Sequence, residues 1–416
     1  MKIAIIGSGI SGLTAAYLLQ QKYSVTLFES DDTIGGHTAT KEVKTAYGNY
    51  AVDTGFIVYN DWTYPNFIKL LGQLNVPSQP TSMGFSAFYA DGRFEYSGDN
   101  INTLFSDRRT LLSPQHWRML RDIIRFNKEA VRDWQDDKIP PAMTLGEYLQ
   151  ENRYSNAFVQ RYLIPMGSAI WSASTGDMEQ FPLQFFIKFF HNHGLLSVNH
   201  RPTWRVIKGG SKTYLGPLSK SFAGQIRVAD PVIQVMRHET GVSVKSSSGE
   251  WAFDQVIFAC HSDQALKILG DTTADEQKTL GAIRYRDNDV VLHTDEALLP
   301  KRRRTWSSWN YCLNDAPDQL PILTYNMNIL QGISSPQTFC VTLNAADAIA
   351  PEKVIGRYRY AHPVFTLDAI AAQKTWELIN GSNKTWFCGA YWFNGFHEDG
   401  VNSAIRVAAA LGVGFP

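Results

Sequence analysis

The residues with the clearest chemistry lie near the N-terminus. Gly7, Gly9 and Gly12 stand at G-x-G-x-x-G spacing, with Ser8 and Ser11 between them, and Glu29 follows. In this pattern the first glycine permits a tight turn, the second lets backbone approach a pyrophosphate, and the third lets a helix pack closely on a strand. A helix starting there offers free N–H groups and a positive dipole end to the phosphates. Glu29 can accept from ribose hydroxyls and disfavours a 2′-phosphate. The chemistry implied is the holding of an adenine dinucleotide. The alternative is a unit whose glycines serve packing alone. Gly35, Gly36 and His37 sit just past Glu29, where a loop could run back over the phosphates.

A second polar group lies near the C-terminus. His397, Glu398 and Asp399 precede Gly400. His397 or Asp399 could accept a proton or orient a substrate. Asp399 could equally be a helix N-cap, and Glu398 reads as a partner of the helix dipole. His191 and His193 lack a third ligand at sensible spacing, so no metal site is expected. The basic run 301–304 reads as a solvated loop; contact with phospholipid head groups is its other reading.

These residues need particular elements around them. Residues 2–6 form a short apolar run suited to a buried parallel strand, a helical pattern continues through Leu19, and a second apolar run covers 25–28. Further on, 51–60 reads as a strand ending in a polar turn, and 65–74 as a helix. Residues 83–98 read as a hairpin turning at Asp91-Gly92. From 114 to about 193 the apolar spacing is helical, with Thr144 and Glu147 placed as a capping box. Strands are expected at 226–235, 242–246 and 254–259, a β-rich stretch at 280–345, then a strand at 385–389 and a helix over 401–411. The aromatic cluster 181–190 suits either core or the wall of an apolar pocket.

The chain has 416 residues, 44% hydrophobic and 19% charged, enough for two domains. Its formal net charge is zero, which gives no general electrostatic case for a nucleic-acid partner. No apolar run reaches the length of a membrane span, and the first is too short for a signal peptide. Four widely spaced cysteines form no C-x-x-C pair. A reducing cytoplasm is the expected location, with a peripheral membrane contact left open.

Over essentially its whole length the chain resembles the flavin-containing amine oxidase and phytoene desaturase superfamily. The segment IGSGISGLTAAYLL…VTLFES…GGH is similar to that superfamily's FAD signature, AVDTGF to its D-x-G strand, IKGGSKTYLGPL to its internal G-G segment, and FCGAYWFNGFHEDGVNSAIRVAAAL to its C-terminal flavin motif. YNDWTYPNF, MGFSAFYADG and FCGAY…GFHEDG resemble bacterial FAD-dependent oxidoreductases found beside cyclopropane fatty acid synthases, and the flavin domain fused ahead of the methyltransferase in the plant enzymes.

The resemblance implies an α/β architecture: a Rossmann-like FAD-binding domain of the amine-oxidase type, interleaved with a mixed-sheet substrate domain and a helical cap. The expected FAD domain comprises 1–75, 200–270 and 350–416. The substrate domain takes 76–199 and 271–349, with the cap over about 104–195. It implies that Gly36 and His37 flank the phosphates, Gly55 and Phe56 approach the flavin ring, Val232 meets adenine, Gly389 touches phosphate, and Gly400 and Val401 present N–H groups to the flavin pyrimidine edge. Many amine oxidases carry a lysine near flavin N5. The matching region 283–295 has none, and Asn288 or Asp289 lies there, which makes Asp289 a third candidate catalytic residue beside His397 and Asp399. No cysteine occurs in 357–366, so the FAD is expected to be non-covalent. The function implied is hydride transfer from an apolar, fatty-acyl or lipid substrate to flavin N5. The rivals are an amine oxidase and a non-catalytic flavoprotein that supports a lipid methyltransferase partner.

Overall fold

The computed structural model describes residues 1–197, 199–314, 318 and 320–416. β1 (Lys2–Ile6) leads into α1 (Ile10–Leu19) and β2 (Ser24–Phe28). Together with Ile226–Arg227, Gln255–Phe258 and Thr385–Phe387 they form a five-stranded sheet in which every pairing is parallel. Ile3, Ala4 and Ile5 are successive and wholly buried. Both faces of β1 are therefore covered, which explains a continuous apolar run rather than an alternating one.

A second, seven-stranded sheet is mixed. Its order is Val354–Val364, Arg284–His293, Cys340–Leu343, Ile322–Asn326, Trp309–Cys312, Phe85–Phe88, Glu95–Ser97. The one parallel pair joins Trp309–Cys312 to Phe85–Phe88, and the rest are antiparallel. Above it lie the helices of the cap, including Pro114–Gln135, Leu145–Glu151, Ile164–Trp171 and Leu183–Asn192. They have their own core, with Phe126, Phe158, Phe186 and Phe190 buried. The capping box forms as expected: Thr144 Oγ1 accepts from the Glu147 N–H, and Glu147 accepts from the Thr144 N–H. Among the described residues no helix is long and apolar enough to cross a membrane.

Four boundaries differ from the sequence expectation. Residues 51–60 form two strands, Gly48–Asp53 and Val58–Asn60, interrupted where Gly55 is pressed against the His37 carbonyl. Residues 226–235 divide between two sheets. Ala229 adopts a left-handed φ of 51°, and the buried Asp230 carboxylate takes the Ser246, Ser247 and Ser248 hydroxyls, turning the chain. Val354–Val364 pairs along Arg284–His293. It is therefore part of the seven-stranded sheet, and the chain rejoins the five-stranded sheet only at Thr385–Phe387. The C-terminal helix covers His397–Ala410, starting four residues earlier than its apolar pattern.

Candidate active site

The carboxyl ends of the parallel strands gather the N-terminal site residues, which is where α/β sheets bind ligands. Gly7 follows β1 with φ +103°, and a Cβ there would lie 2.8 Å from the Ala259 carbonyl of the neighbouring strand's end. Gly12 is a packing glycine, since its Cβ would sit 1.9 Å from the Gly7 oxygen. Gly9 differs: a Cβ there meets nothing within 4 Å. The Gly35–Gly36 loop closes over it. The Gly35 N–H donates to the Ser8 carbonyl at 3.1 Å, and a Cβ on Gly36 would face Gly9 Cα at 3.2 Å. The Gly35–Gly36 loop thus returns over the turn between β1 and α1.

Glu29 directly follows β2 and is buried. Its carboxylate accepts from the Ser8 N–H and hydroxyl, the Asp31 N–H and the Ser30 hydroxyl. Two of those four donors are rotatable hydroxyls, which a ribose diol can replace. Val232 begins its strand close by, because Asp230 N–H donates to the Glu29 carbonyl at 2.9 Å.

A second helix N-terminus converges on the first. A Cβ on Gly400 would lie 2.6 Å from Ile10 Cγ2 and 2.9 Å from Ser11 Oγ, so the C-terminal helix packs directly against the first turn of α1. Two positive dipole ends therefore meet beside Gly9. The Gly400 N–H is spent on the Phe396 carbonyl at 3.1 Å. The N–H groups at the mouth of this helix thus belong to 397–399, and the N–H role drawn for Gly400 is corrected accordingly. Val401 lies one residue deeper in the helix and is wholly buried. Gly389 lies two residues past the last parallel strand, with its N–H held by Ser403 Oγ at 2.9 Å.

His397 lies at the centre. Its ring stacks on Phe56 at 3.5 Å and 8°. Its Nε2 meets Tyr214 OH at 3.0 Å and Thr38 Oγ1 at 3.1 Å. Burial holds its pKa well below the usual imidazole range, with His37 adding to the shift, so it is neutral. Phe56 is brought in because its N–H donates to the His37 carbonyl at 2.7 Å. Asp53, in the same segment, is wholly buried and accepts from Ser211 N–H and hydroxyl, Thr40 and Gln331. It ties the G-G segment, where Gly210 has φ +92°, to the strand before Gly55.

The other candidates sort differently. Asp399 accepts from Phe396 N–H at 2.9 Å and Asn394 Nδ2 at 3.3 Å, so it caps its own helix, and burial pushes its pKa up to about 7. Glu398 reaches another helix. It accepts the N–H groups of Asn66 (3.0 Å) and Phe67 (2.7 Å) at the start of Pro65–Gln73. Asp289 is exposed, whereas Asn288 is fully buried. Side chains alternate along a strand, so Asn288 faces inward and Asp289 is withdrawn as a catalytic candidate. His191 and His193 have separate surroundings: His191 lies by Trp134, and His193 stacks on Phe189 at 3.8 Å. In the basic run, Arg302 pairs with Glu95, Arg303 with Glu296, Lys301 with the Asp91 carbonyl and Arg304 with the Ser106 carbonyl. All four cations thus have partners within the chain, although Arg303 is 77% exposed.

Sequence reasoning missed two histidines. His37 lies 5.9 Å from the His261 ring and 5.6 Å from that of His362. Burial lowers His261 to about 4 and His362 to about 3, with the neighbouring histidines adding to both. A chain of amides sets the tautomer of His362. Asp289 N–H donates to Asn344 Oδ1, Asn344 Nδ2 to Asn288 Oδ1, and Asn288 Nδ2 to His362 Nδ1 at 3.2 Å. Nδ1 therefore accepts and Nε2 carries the proton. His362 lines a cavity between sheet and cap with Trp171, Ser172, Phe181, Arg286 and Phe365. His261 was findable, because it follows a parallel strand's carboxyl end as Gly7 does. His362 had no local signal, since its place depends on long-range strand pairing.

Residues 10–326 match the family model for flavin-containing amine oxidoreductases. The chain is 25% identical over 266 residues to an L-amino acid dehydrogenase of a Synechocystis species, covering 59% of this chain and 53% of that protein. It is 26% identical over 172 residues to prenylcysteine oxidase 1 of Pongo abelii, covering 40% of this chain and 30% of that one. The chain thus spans about half or less of the curated relatives it matches. Cyclohexylamine oxidase from Brevibacterium oxydans shares the fold at TM-score 0.68 and 16% identity, covering 99% of this chain and 98% of that one. A fatty acid isomerase from P. acnes that produces CLA shares it at TM-score 0.71 and 14% identity, over 99% and 98%. The open ground at Gly9, the two converging helix ends and the buried Glu29 carboxylate fit the pyrophosphate and ribose of FAD, and the chain belongs to the flavin-containing amine oxidoreductase family.

Proposed function

We propose that this chain is an FAD-dependent oxidoreductase acting on an apolar substrate, a fatty-acyl or other lipid chain. The observation that carries the substrate class is the cavity between sheet and cap. Trp171, Phe181 and Phe365 line much of it, and an Arg286–Asp177 ion pair also faces it. On the strand Arg284–His293, where an amine oxidase would carry its lysine, the buried inward residue is the neutral Asn288. His362 beside it is held neutral by burial. With the Asp177 carboxylate already paired to Arg286, such walls favour a C–H bond in an alkyl chain over a hydrated ammonium. The likeness of several loops to flavoproteins associated with cyclopropane fatty acid synthases points the same way.

FAD supplies the hydride acceptor. The chain's own part is to bind, orient and exclude water. The α1 and C-terminal helix ends hold the phosphates, Glu29 the ribose, and Phe56 with His397 a flat wall beside them. The rival reading, amine oxidation, is favoured by the family itself and by the L-amino acid dehydrogenase relative.

Anaerobic mixing of the FAD-loaded protein with fatty acids and acyl lipids, and separately with simple amines and amino acids, tests the proposal. Bleaching of the flavin band by an acyl substrate is expected. Bleaching by amines or amino acids but not by lipids overturns it. Flavin left oxidised by every substrate, with tight binding to a lipid methyltransferase, would instead make the chain an accessory flavoprotein.

A further inference from the structure

One corner of the helical cap is both apolar and basic where it meets solvent. Among the described residues twelve large hydrophobics are exposed, and five of them fall within 101–124: Ile101, Leu111, Leu112, Trp117 and Ile124. Leu112 is 89% exposed and Ile101 77%. A monomeric surface rarely gathers such residues without a partner.

They form one surface. On Pro114–Gln135, Trp117 and Ile124 are two turns apart, so they share a side, while Met119, Phe126 and Ala130 bury the opposite one. The short turn Arg108–Leu112 abuts this helix: the Trp117 indole N–H donates to the Leu111 carbonyl at 2.8 Å. Phe105 packs beneath, 5.1 Å from the Trp117 ring. Arg108 bonds the side chain of Asn102, next to Ile101.

The same stretch is strongly cationic. Residues 101–128 hold Arg108, Arg109, Arg118, Arg121, Arg125 and Lys128 against only two acids, Asp107 and Asp122. Asp107 pairs with Arg109, and Asp122 with Arg121 and Arg125, the last also reaching Glu129; Arg108, Arg118 and Lys128 stand outside these pairs, so the corner keeps a positive excess on a chain whose net charge is zero.

We infer that this corner docks on an anionic lipid surface. Its apolar tips enter the boundary between head groups and acyl chains, and its arginines meet the phosphates. Charge selects this occupant. A second copy related by a two-fold axis would set the same cations against each other. The docking is independent of the substrate proposal, since a protein can sit on a membrane and oxidise a soluble compound.

The test is co-sedimentation of the FAD-loaded protein with vesicles of phosphatidylcholine alone and vesicles enriched in phosphatidylglycerol. Wild type is expected to pellet with the anionic vesicles, and less so as salt rises. The pairs Ile101→Ser with Leu112→Ser, and Arg118→Glu with Lys128→Glu, should each weaken binding roughly tenfold or more. Leu378→Ser, an exposed apolar change elsewhere, should leave it unaltered. Unchanged flavin absorbance in every variant shows that the fold persists. The inference is overturned if wild type binds no vesicle, or if both double variants bind as wild type does. It is also overturned if the serine pair abolishes a concentration-dependent dimer while vesicle binding is nil, which would assign the corner to a second copy.

Discussion

Gly9 and Gly12 stand three residues apart in one motif and serve different ends. At Gly12 a methyl group would collide with the Gly7 carbonyl, so the residue is required for the fold whether or not a cofactor binds. At Gly9 a methyl group meets no protein atom, and the backbone, φ −63° and ψ 179°, suits alanine. The two substitutions should therefore separate structure from cofactor binding. Gly9→Ala is expected to leave the melting temperature of the flavin-free protein within a few degrees, corresponding to less than about 1 kcal/mol, yet to weaken FAD binding at least roughly tenfold. Gly12→Ala is expected to destabilise the flavin-free protein itself by about 2 kcal/mol or more through overpacking. Calorimetry of apoprotein and flavin titration read the two effects. Equal flavin affinity in Gly9→Ala and wild type would remove the pyrophosphate from this position. The other polar residues follow the same logic: Asp399 and Glu398 sit beside the site, but their hydrogen bonds are committed to helix ends.

At the scale of elements, the C-terminal helix does the most to assemble the site. It packs on α1 through Gly400, stacks His397 on Phe56, and holds Pro65–Gln73 by its Glu398 carboxylate. Glu398→Ala leaves two backbone donors without their carboxylate at a buried helix start. A loss of about 2–3 kcal/mol is expected, with faster hydrogen exchange localised to 65–73. Uniform acceleration across the molecule would show that the carboxylate does not secure that helix. Much of this organisation is legible in the sequence: β1, α1 and β2 follow from an apolar run, a glycine motif and a helical spacing that are all local. The start of the C-terminal helix was not, because His397, Glu398 and Asp399 look like loop residues until their partners on other elements are known. Asp289 was misplaced for a related reason. A strand's composition does not say which of its two faces is covered, and only the pairing of Arg284–His293 with Val354–Val364 beneath the cap decides for Asn288.

Across the whole molecule, burial of titratable groups sets how stability should depend on pH. Of the ten histidines, His37, His116, His193, His261, His293, His362 and His397 all have lowered pKa values, in each case chiefly because burial disfavours the imidazolium. Below about pH 6.5 the unfolded chain takes up protons that the folded chain refuses, so these groups remove stability as pH falls toward 4. Asp53 and Asp399 act in the opposite sense. Burial raises them to about 6 and about 7. The folded protein then holds two protons that the unfolded chain has released, and their contribution falls as pH rises through the same window. Burial also raises Asp31 and Glu398; the seven histidines outweigh these four carboxylates, leaving a net uptake of protons on unfolding near pH 5. Stability should accordingly fall as pH drops from about 6.5 toward 4, by roughly 1.4 kcal/mol per pH unit for each proton of net uptake. Calorimetric unfolding between pH 7.5 and 4.5 measures it. Asp399→Asn removes one opposing term, so relative to wild type it should gain stability between pH 4 and 7 in the direction of rising pH. A flat stability profile from neutral pH to 5 would mean that the histidines are not neutral in the folded state, and the charge state drawn for His362 beside the cavity would fall with them.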